Sequence, residues 1–212
     1  MTEMFTQAFW DERYASSHDH LWSGKPNASL VNEVADLTPG TALEVGCGEG
    51  ADAIWLAGRG WRVTALDVST VAIERAARHA ADAGDEIAER ITWTQADVLG
   101  WEPSTDRYDL VTAHYVHLPT DPRDILFRHL ADAVSPGGTL LIVGHHPSDL
   151  QTSIPRPPIP ELFFAPDDVV TLLDPQEWTV VTATAASRSA TDPHGNDITI
   201  HDAIARLRRN PA

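Results

Sequence analysis

The chain has 212 residues, with 15 Lys and Arg against 31 Asp and Glu, a formal charge of −16, 42% hydrophobic and 22% charged residues. That length accommodates one α/β domain with an ample core and is short for two. A surface this acidic repels phosphate backbones, whose sequence-independent affinity depends on Lys and Arg, so a nucleic-acid partner is disfavoured. Most of the charge reads as a solvated surface. Cys47 is the sole cysteine, which rules out an intrachain disulfide and a secreted disulfide scaffold. Met1-Thr2-Glu3-Met4-Phe5 has neither the basic start nor the apolar run of a signal peptide, and no apolar stretch reaches the roughly 18 residues of a membrane helix. The expected location is the cytoplasm, with no membrane partner.

In chain order, residues 41–45 (Thr-Ala-Leu-Glu-Val) are a short apolar strand running into a glycine cluster, and residues 51–58 a helix that stops at glycine. Arg62 to Asp67 is a second strand. Ser69 is a good N-cap for an Ala-rich helix over 70–83. Residues 91–96 and 108–114 make a third and a fourth strand. Asp121-Pro122 opens a further helix, with proline where a missing N–H costs nothing. Ser135-Pro136-Gly137-Gly138 reads as a turn and Thr139 to Gly144 as a fully apolar fifth strand. Residues 155–160 (Pro-Arg-Pro-Pro-Ile-Pro) form a loop, followed by a helix at about 166–174. Strands over 178–188 and 198–207, joined by a turn-rich segment, form an antiparallel hairpin. Alternating strands and helices, several strands apolar throughout, predict a Rossmann-like α/β three-layer sandwich. Its seven-stranded, mostly parallel sheet ends in an antiparallel edge hairpin.

Glu44-Val45-Gly46-Cys47-Gly48-Glu49-Gly50 lies between the first strand and a helix, where such sheets bind ligands. Glycines there permit a tight turn and close approach of backbone to ligand. The spacing is G-x-G-x-G rather than the G-x-G-x-x-G of dinucleotide folds, which disfavours a nicotinamide cofactor. Asp67, followed by Val68 at the end of the second strand, stands where a carboxylate accepts from both ribose hydroxyls. In Gln95-Ala96-Asp97-Val98, a carboxylate suited to an adenine amino group adjoins an apolar residue suited to the ring.

Glu44 to Gly50, Asp67, Ala96-Asp97 and Ser135 to Leu141 together resemble the ordered motifs of class I S-adenosylmethionine-dependent methyltransferases over roughly residues 40–145. Phe9-Trp10-Asp11-Glu12-Arg13-Tyr14, with Leu21-Trp22 and Lys25-Pro26-Asn27, is similar to the start of the thiopurine and tellurite-resistance branch. The resemblance implies S-adenosyl-L-methionine as cofactor, with S-adenosyl-L-homocysteine as product. It also implies a helical lid over residues 1–38, a cofactor core over 39–145 and an acceptor side over 146–212. Cofactor contacts are expected at Tyr14, Trp22, Glu44, Gly46, Gly48, Gly50, Asp67, Val68, Ala96, Asp97, Val98 and His114, and Arg13 is a candidate partner for the cofactor carboxylate. For Trp10 and Tyr14, plain packing at i, i+4 stays open as the alternative.

Methyl transfer from a sulfonium needs an acceptor aligned behind the methyl and shielded from water. Candidates to manage the acceptor are His114 and His117 after the fourth strand and His145 and His146 after the fifth, with Asp149 nearby. The histidine spacings match no standard zinc pattern, and adjacent strand residues point to opposite faces, so no metal is expected. His117, in a His-Leu-Pro segment that borders the acceptor pocket in the resembling branch, is the first candidate catalytic residue and His145 the second. A structural role, a general base and a substrate contact all stay open for them. Phe163 and Phe164 line the acceptor side or bury against the sheet, and Cys47 reads as a small filler. The expected partner is a small-molecule acceptor: a thiol, a chalcogen oxyanion or a small aromatic. Methylation of RNA or protein, and a non-catalytic cofactor- or metal-binding role, are the alternatives.

Overall fold

A computed structural model describes residues 5–17, 20–102 and 107–211. The opening Met1-Thr2-Glu3-Met4 and residues 18–19 of the expected lid lie outside the described residues. Seven strands form one sheet: β1 Thr41–Val45, β2 Arg62–Asp67, β3 Ile91–Gln95, β4 Tyr108–His114, β5 Val134–His145, β6 Trp178–Thr191 and β7 Asp197–Arg209. The order is β3-β2-β1-β4-β5-β7-β6. Strands β1 to β5 pair in parallel, and β7 runs antiparallel to both β5 and β6. Strand order reverses between β1 and β4, and the loops after these strands open on one edge of the sheet, the position for a ligand crevice in this topology.

Among the described residues seven helices cover the sheet: α1 Gln7–Ala15, α2 Ala28–Glu33, α3 Ala51–Gly58, α4 Thr70–Ala83, α5 Asp85–Ala88, α6 Thr120–Asp132 and α7 Pro166–Val170. One face of the sheet buries Leu126, Phe127 and Leu130 of α6 against Val111, Leu140 and Ile142. The other buries Leu30, Ala53, Leu56 and Ala80 against Ala42, Val63, Leu110 and Leu141. Two covered faces explain why β1, β4 and β5 read as continuous apolar runs rather than alternating ones.

Three expected boundaries shift. Ser135-Pro136-Gly137-Gly138 is not a turn ahead of β5 but an irregularity within it. The pairing jumps from Tyr108↔Val134 to Leu110↔Thr139, and the extra residues are absorbed at Gly137, whose φ is +83°. Helix α7 ends at Val170 instead of about 174, since Asp174-Pro175 begins a new turn and Pro175 disfavours the helical region at the residue before it. The hairpin strands are longer than their apolar patterns, because mutual pairing carries β6 to Thr191 and β7 to Arg209.

Candidate functional site

The glycine loop is tied to the neighbouring strand. Gly46 and Cys47 both donate their N–H to the Leu66 carbonyl, and Gly50 donates to Cys47. Gly46, Gly48 and Gly50 take φ of +75°, +53° and +84°, a region unfavourable to other residues. Close approach adds a second reason for glycine. A Cβ at Gly46 would lie 2.6 Å from Val116 Cγ2, and one at Gly48 would lie 2.9 Å from the Tyr14 hydroxyl.

Asp67 is 7% exposed, and both of its oxygens are used. Oδ2 accepts the Gly48 N–H at 2.8 Å and Oδ1 the Ser69 N–H at 2.9 Å, which locks the end of β2 to the loop. Burial raises its pKa, against the opposing effect of these N–H donors. Glu44 is more deeply buried and its Oε2 has no hydrogen-bond partner. Burial, with the charges of Asp52 and Asp67, pushes its carboxyl well above the usual carboxylate range.

His114 is held from both sides. Its Nδ1 lies 2.8 Å from Asp52 Oδ2 and its Nε2 2.8 Å from the Thr112 hydroxyl. Asp52 Oδ1 accepts the Asn27 N–H at 2.6 Å, which draws the segment before α2 onto the start of α3. Glu44, Asp52 and His114 bring one ligating atom each within 4.8 Å of one another, so these three could hold a cation. The chain spacing did not display this grouping, because its members come from β1, α3 and β4.

After β3, Ala96 donates its N–H to the Asp67 carbonyl, Val98 packs on the core and the exposed Asp97 accepts from the Leu99 N–H at 2.9 Å. The Val68 carbonyl accepts from Gln95 Nε2 at 3.1 Å. Tyr14 is buried and Trp22 is half exposed; Trp22 Nε1 donates to the Tyr14 hydroxyl at 3.2 Å. Burial raises the Tyr14 pKa, so the phenol stays neutral. The Arg13 guanidinium sits over the rings of Trp10 and Trp22, and Trp10 lies 6.1 Å from Tyr14.

The second cluster follows β4 and β5. Tyr115, at φ +54°, is the only non-glycine residue in the left-handed region among those described. Val116 rests against Gly46, and His117 turns back to stack on His145 at 4.7 Å with 22° between the rings. Tyr115 lies 4.7 Å and Phe163 6.2 Å from His145. Burial lowers the His117 pKa to about 4, helped by the Arg156 charge. Burial and the His117 charge lower His145 to about 2. Both rings are neutral at pH 7. His146 faces away to Ser148 and His201, as strand alternation requires. Cys47, Phe163 and Phe164 are buried.

Five buried polar atoms around this pair lack hydrogen-bond partners: His117 Nε2, His145 Nδ1, Arg156 Nε, Asp149 Oδ2 and Asp202 Oδ1. Asp149 Oδ2 is 3.6 Å from Arg156, and Asp202 is paired across the sheet with His145 while its Oδ2 accepts from Arg188 at 2.7 Å. Arg156 sits in the proline-rich loop and gave no signal in the sequence, since a lone Arg among prolines has no periodicity to mark it.

The comparisons with known proteins bear on the fold and the domain family. Residues 42–138 match the model of a methyltransferase domain family. A probable thiol methyltransferase of Arabidopsis thaliana is 26% identical over 136 residues, 62% of this chain and 59% of the relative. The chain thus spans less than two thirds of that relative's length. A structure concerned with the conversion of a disulfide bond into a thioacetal group during echinomycin biosynthesis aligns with a TM-score of 0.72 at 25% identity, covering 96% of this chain and 92% of the other. The N-methyltransferase NodS of Bradyrhizobium japonicum WM9 with bound S-adenosyl-L-homocysteine shares the fold, at TM-score 0.70, 20% identity and coverages of 97% and 98%. Residues 42–138 thus match a methyltransferase domain, and the fold is the Rossmann-like one of class I S-adenosylmethionine-dependent methyltransferases. The cofactor of that family is S-adenosyl-L-methionine. Among the described residues no helix is long and apolar enough to cross a membrane.

Proposed function

We propose that this chain transfers the methyl group of S-adenosylmethionine to a small-molecule acceptor held beside His117 and His145. The observation that carries the reading is the cluster of five buried polar atoms without a hydrogen bond, joined to the glycine loop through Val116 against Gly46. Each such atom costs roughly 1–3 kcal/mol when left unsatisfied, so a cluster of them suits a polar ligand.

The residues of the loop fit the cofactor. Two carboxylates, a left-handed glycine cradle and two aromatic residues above it offer acceptors for hydroxyl and ammonium groups and a cover against water. Glu44, Gly46, Gly48 and Gly50 would cradle the methionine end, with Tyr14 and Trp22 above it and His114 at its floor. Asp67 and Val68 would hold the ribose, and Ala96, Asp97 and Val98 the adenine. When bound, the cofactor supplies a methyl on a cationic sulfur. The chain's own work is to align the acceptor and exclude water.

A His117 pKa near 4 makes protonation at pH 7 uphill by about 4 kcal/mol. His117 is therefore better suited to accept a hydrogen bond from the acceptor than to store its proton, and His145 backs it by stacking. Such a site favours acceptors that ionise easily, thiols first, then chalcogen oxyanions and small aromatic hydroxyls. The likeness to a thiol methyltransferase supports that order. We assign residues 1–38 to the lid, 39–145 to cofactor binding and 146–212 to the acceptor side, and place the protein in the cytoplasm.

The test is release of S-adenosylhomocysteine from purified protein across thiols, tellurite and selenite, phenols, amines and RNA, with and without divalent metal. Turnover on thiols or chalcogen oxyanions supports the reading. Turnover on RNA alone, or tight cofactor binding without release on any class, would overturn it.

A further inference from the structure

We infer that Glu49 and Arg75 are positioning residues that strap the N-terminal segment over the glycine loop. Glu49 lies between Gly48 and Gly50 and is 6% exposed, unusual for a carboxylate flanked by glycines. Its Oε2 accepts the N–H groups of Leu21 at 2.9 Å and Trp22 at 3.4 Å. Its Oε1 accepts from Arg75 Nη1 at 3.0 Å, and Arg75 Nη2 donates to the Ser17 carbonyl at 2.6 Å. One carboxylate and one guanidinium thus hold both sides of the segment that brings Trp22 onto Tyr14. His79 of α4 lies with Nδ1 3.1 Å from the Glu49 carbonyl, and its ring is 4.5 Å from that of His20, tilted by 43°.

A second anchor fixes α1. Asp11 Oδ1 accepts from the Ser69 hydroxyl at 2.6 Å and the Val71 N–H at 3.2 Å, while Gln7 donates to Thr70. Asp11 thus sits at the amino end of α4, where the orphan N–H groups and helix dipole favour a carboxylate. Ser69 also donates its N–H to Asp67. The lid, the α4 terminus and the strand-end carboxylate therefore form one hydrogen-bonded chain.

Polar contacts carry the attachment of residues 20–26, because apolar burial there is thin. Trp22 is 52% exposed. A cavity of about 310 Å³ is lined by His20, Gly24 and Pro26 together with Ile54 and Trp55 of α3. Apart from the Trp22–Tyr14 hydrogen bond, the Arg13 guanidinium over Trp22 and the Asn27–Asp52 bond that follows, the segment depends on Glu49 and Arg75. Loss of the Arg75 bridge therefore loosens it, and charge-assisted bonds of this kind are the stronger class. Placing the strap over the cofactor rests on the methyltransferase reading; the strap itself does not.

The test uses the full chain with Arg75→Ala, Glu49→Gln and a control, Arg78→Ala, at an exposed position on the same helix. Trypsin cleavage after Arg13 and chymotrypsin cleavage after Trp22 are timed by mass spectrometry, with tryptic cleavage after the exposed Arg90 and chymotryptic cleavage after the exposed Leu99 as the respective internal references. Arg75→Ala is expected to accelerate the two lid cuts about tenfold relative to these references and to weaken S-adenosylhomocysteine about tenfold. A general loosening of the fold would speed the reference cuts as well and leave the ratio unchanged. Glu49→Gln shows the same pattern and serves if Arg75→Ala does not fold. Lid cuts as slow as in the control would overturn the strap. Failure of the wild type to bind S-adenosylhomocysteine would overturn the cofactor reading, and the cleavage ratio would still decide the strap.

Discussion

Acidification tests the burial of His117 directly. The ring titrates near 6.5 when exposed and near 4 in the fold, because burial penalises its charged form. Between these values the unfolded chain binds more protons than the folded one, so stability is complete above pH 6.5 and falls as pH drops towards 4. At pH 5 the unfolded imidazole is almost fully protonated and the folded one only about a tenth, which corresponds to roughly 2 kcal/mol of a maximum near 3.4 kcal/mol. The carboxylates titrate in the same region, so the assay is a difference. Urea unfolding of wild type and His117→Gln is compared at pH 7 and pH 5. His145, lowered still further, contributes equally in both proteins over this interval and cancels. Wild type should lose about 2 kcal/mol more than the variant. Equal losses would mean that His117 is hydrated or paired in the fold, with no free nitrogen to offer an acceptor.

Asp67→Ala removes the acceptor for two buried N–H groups and the proposed ribose contact. S-adenosylhomocysteine affinity should fall at least a hundredfold in calorimetry, from two bonds on the order of 1.5–3 kcal/mol each; unchanged affinity refutes the placement. His117→Ala should leave that affinity within about threefold and lower turnover at least tenfold on the accepted substrate, the split expected of a residue that touches only the acceptor. Gly48→Ala should destabilise by about 1–2 kcal/mol through its left-handed φ and displace Tyr14, seen as a lower melting temperature and lost affinity. Gly144→Ala drives a methyl into the Phe164 ring and should cost about 1–3 kcal/mol in urea unfolding.

Local chemistry made much of this protein legible. The apolar runs of β1 and β4 and the cap of α4 depend on neighbours a few residues away, and the boundaries of β1, β4, α3 and α4 match the sequence reading. Ser69 caps α4 through its own hydroxyl, a contact of three residues that needs no fold. The glycine loop was readable because its φ values disfavour other residues whatever surrounds them. By contrast the lengths of β6 and β7 depend on each other's hydrogen bonds, and the bulge at Gly137 depends on what β4 presents.

The tertiary structure decided which charged and polar groups meet. His117 and His145 are 28 positions apart in the chain, yet stack because a left-handed Tyr115 turns the β4 loop back towards the end of β5. Glu49 and Arg75 meet Ser17, Leu21 and Trp22 only once α4 packs beside the loop. Hydrophobic periodicity reports which side of an element is buried. It carries no information about which polar group waits on a different element, because partnership of that kind is fixed by strand order and by the desolvation that makes an unpaired polar group costly.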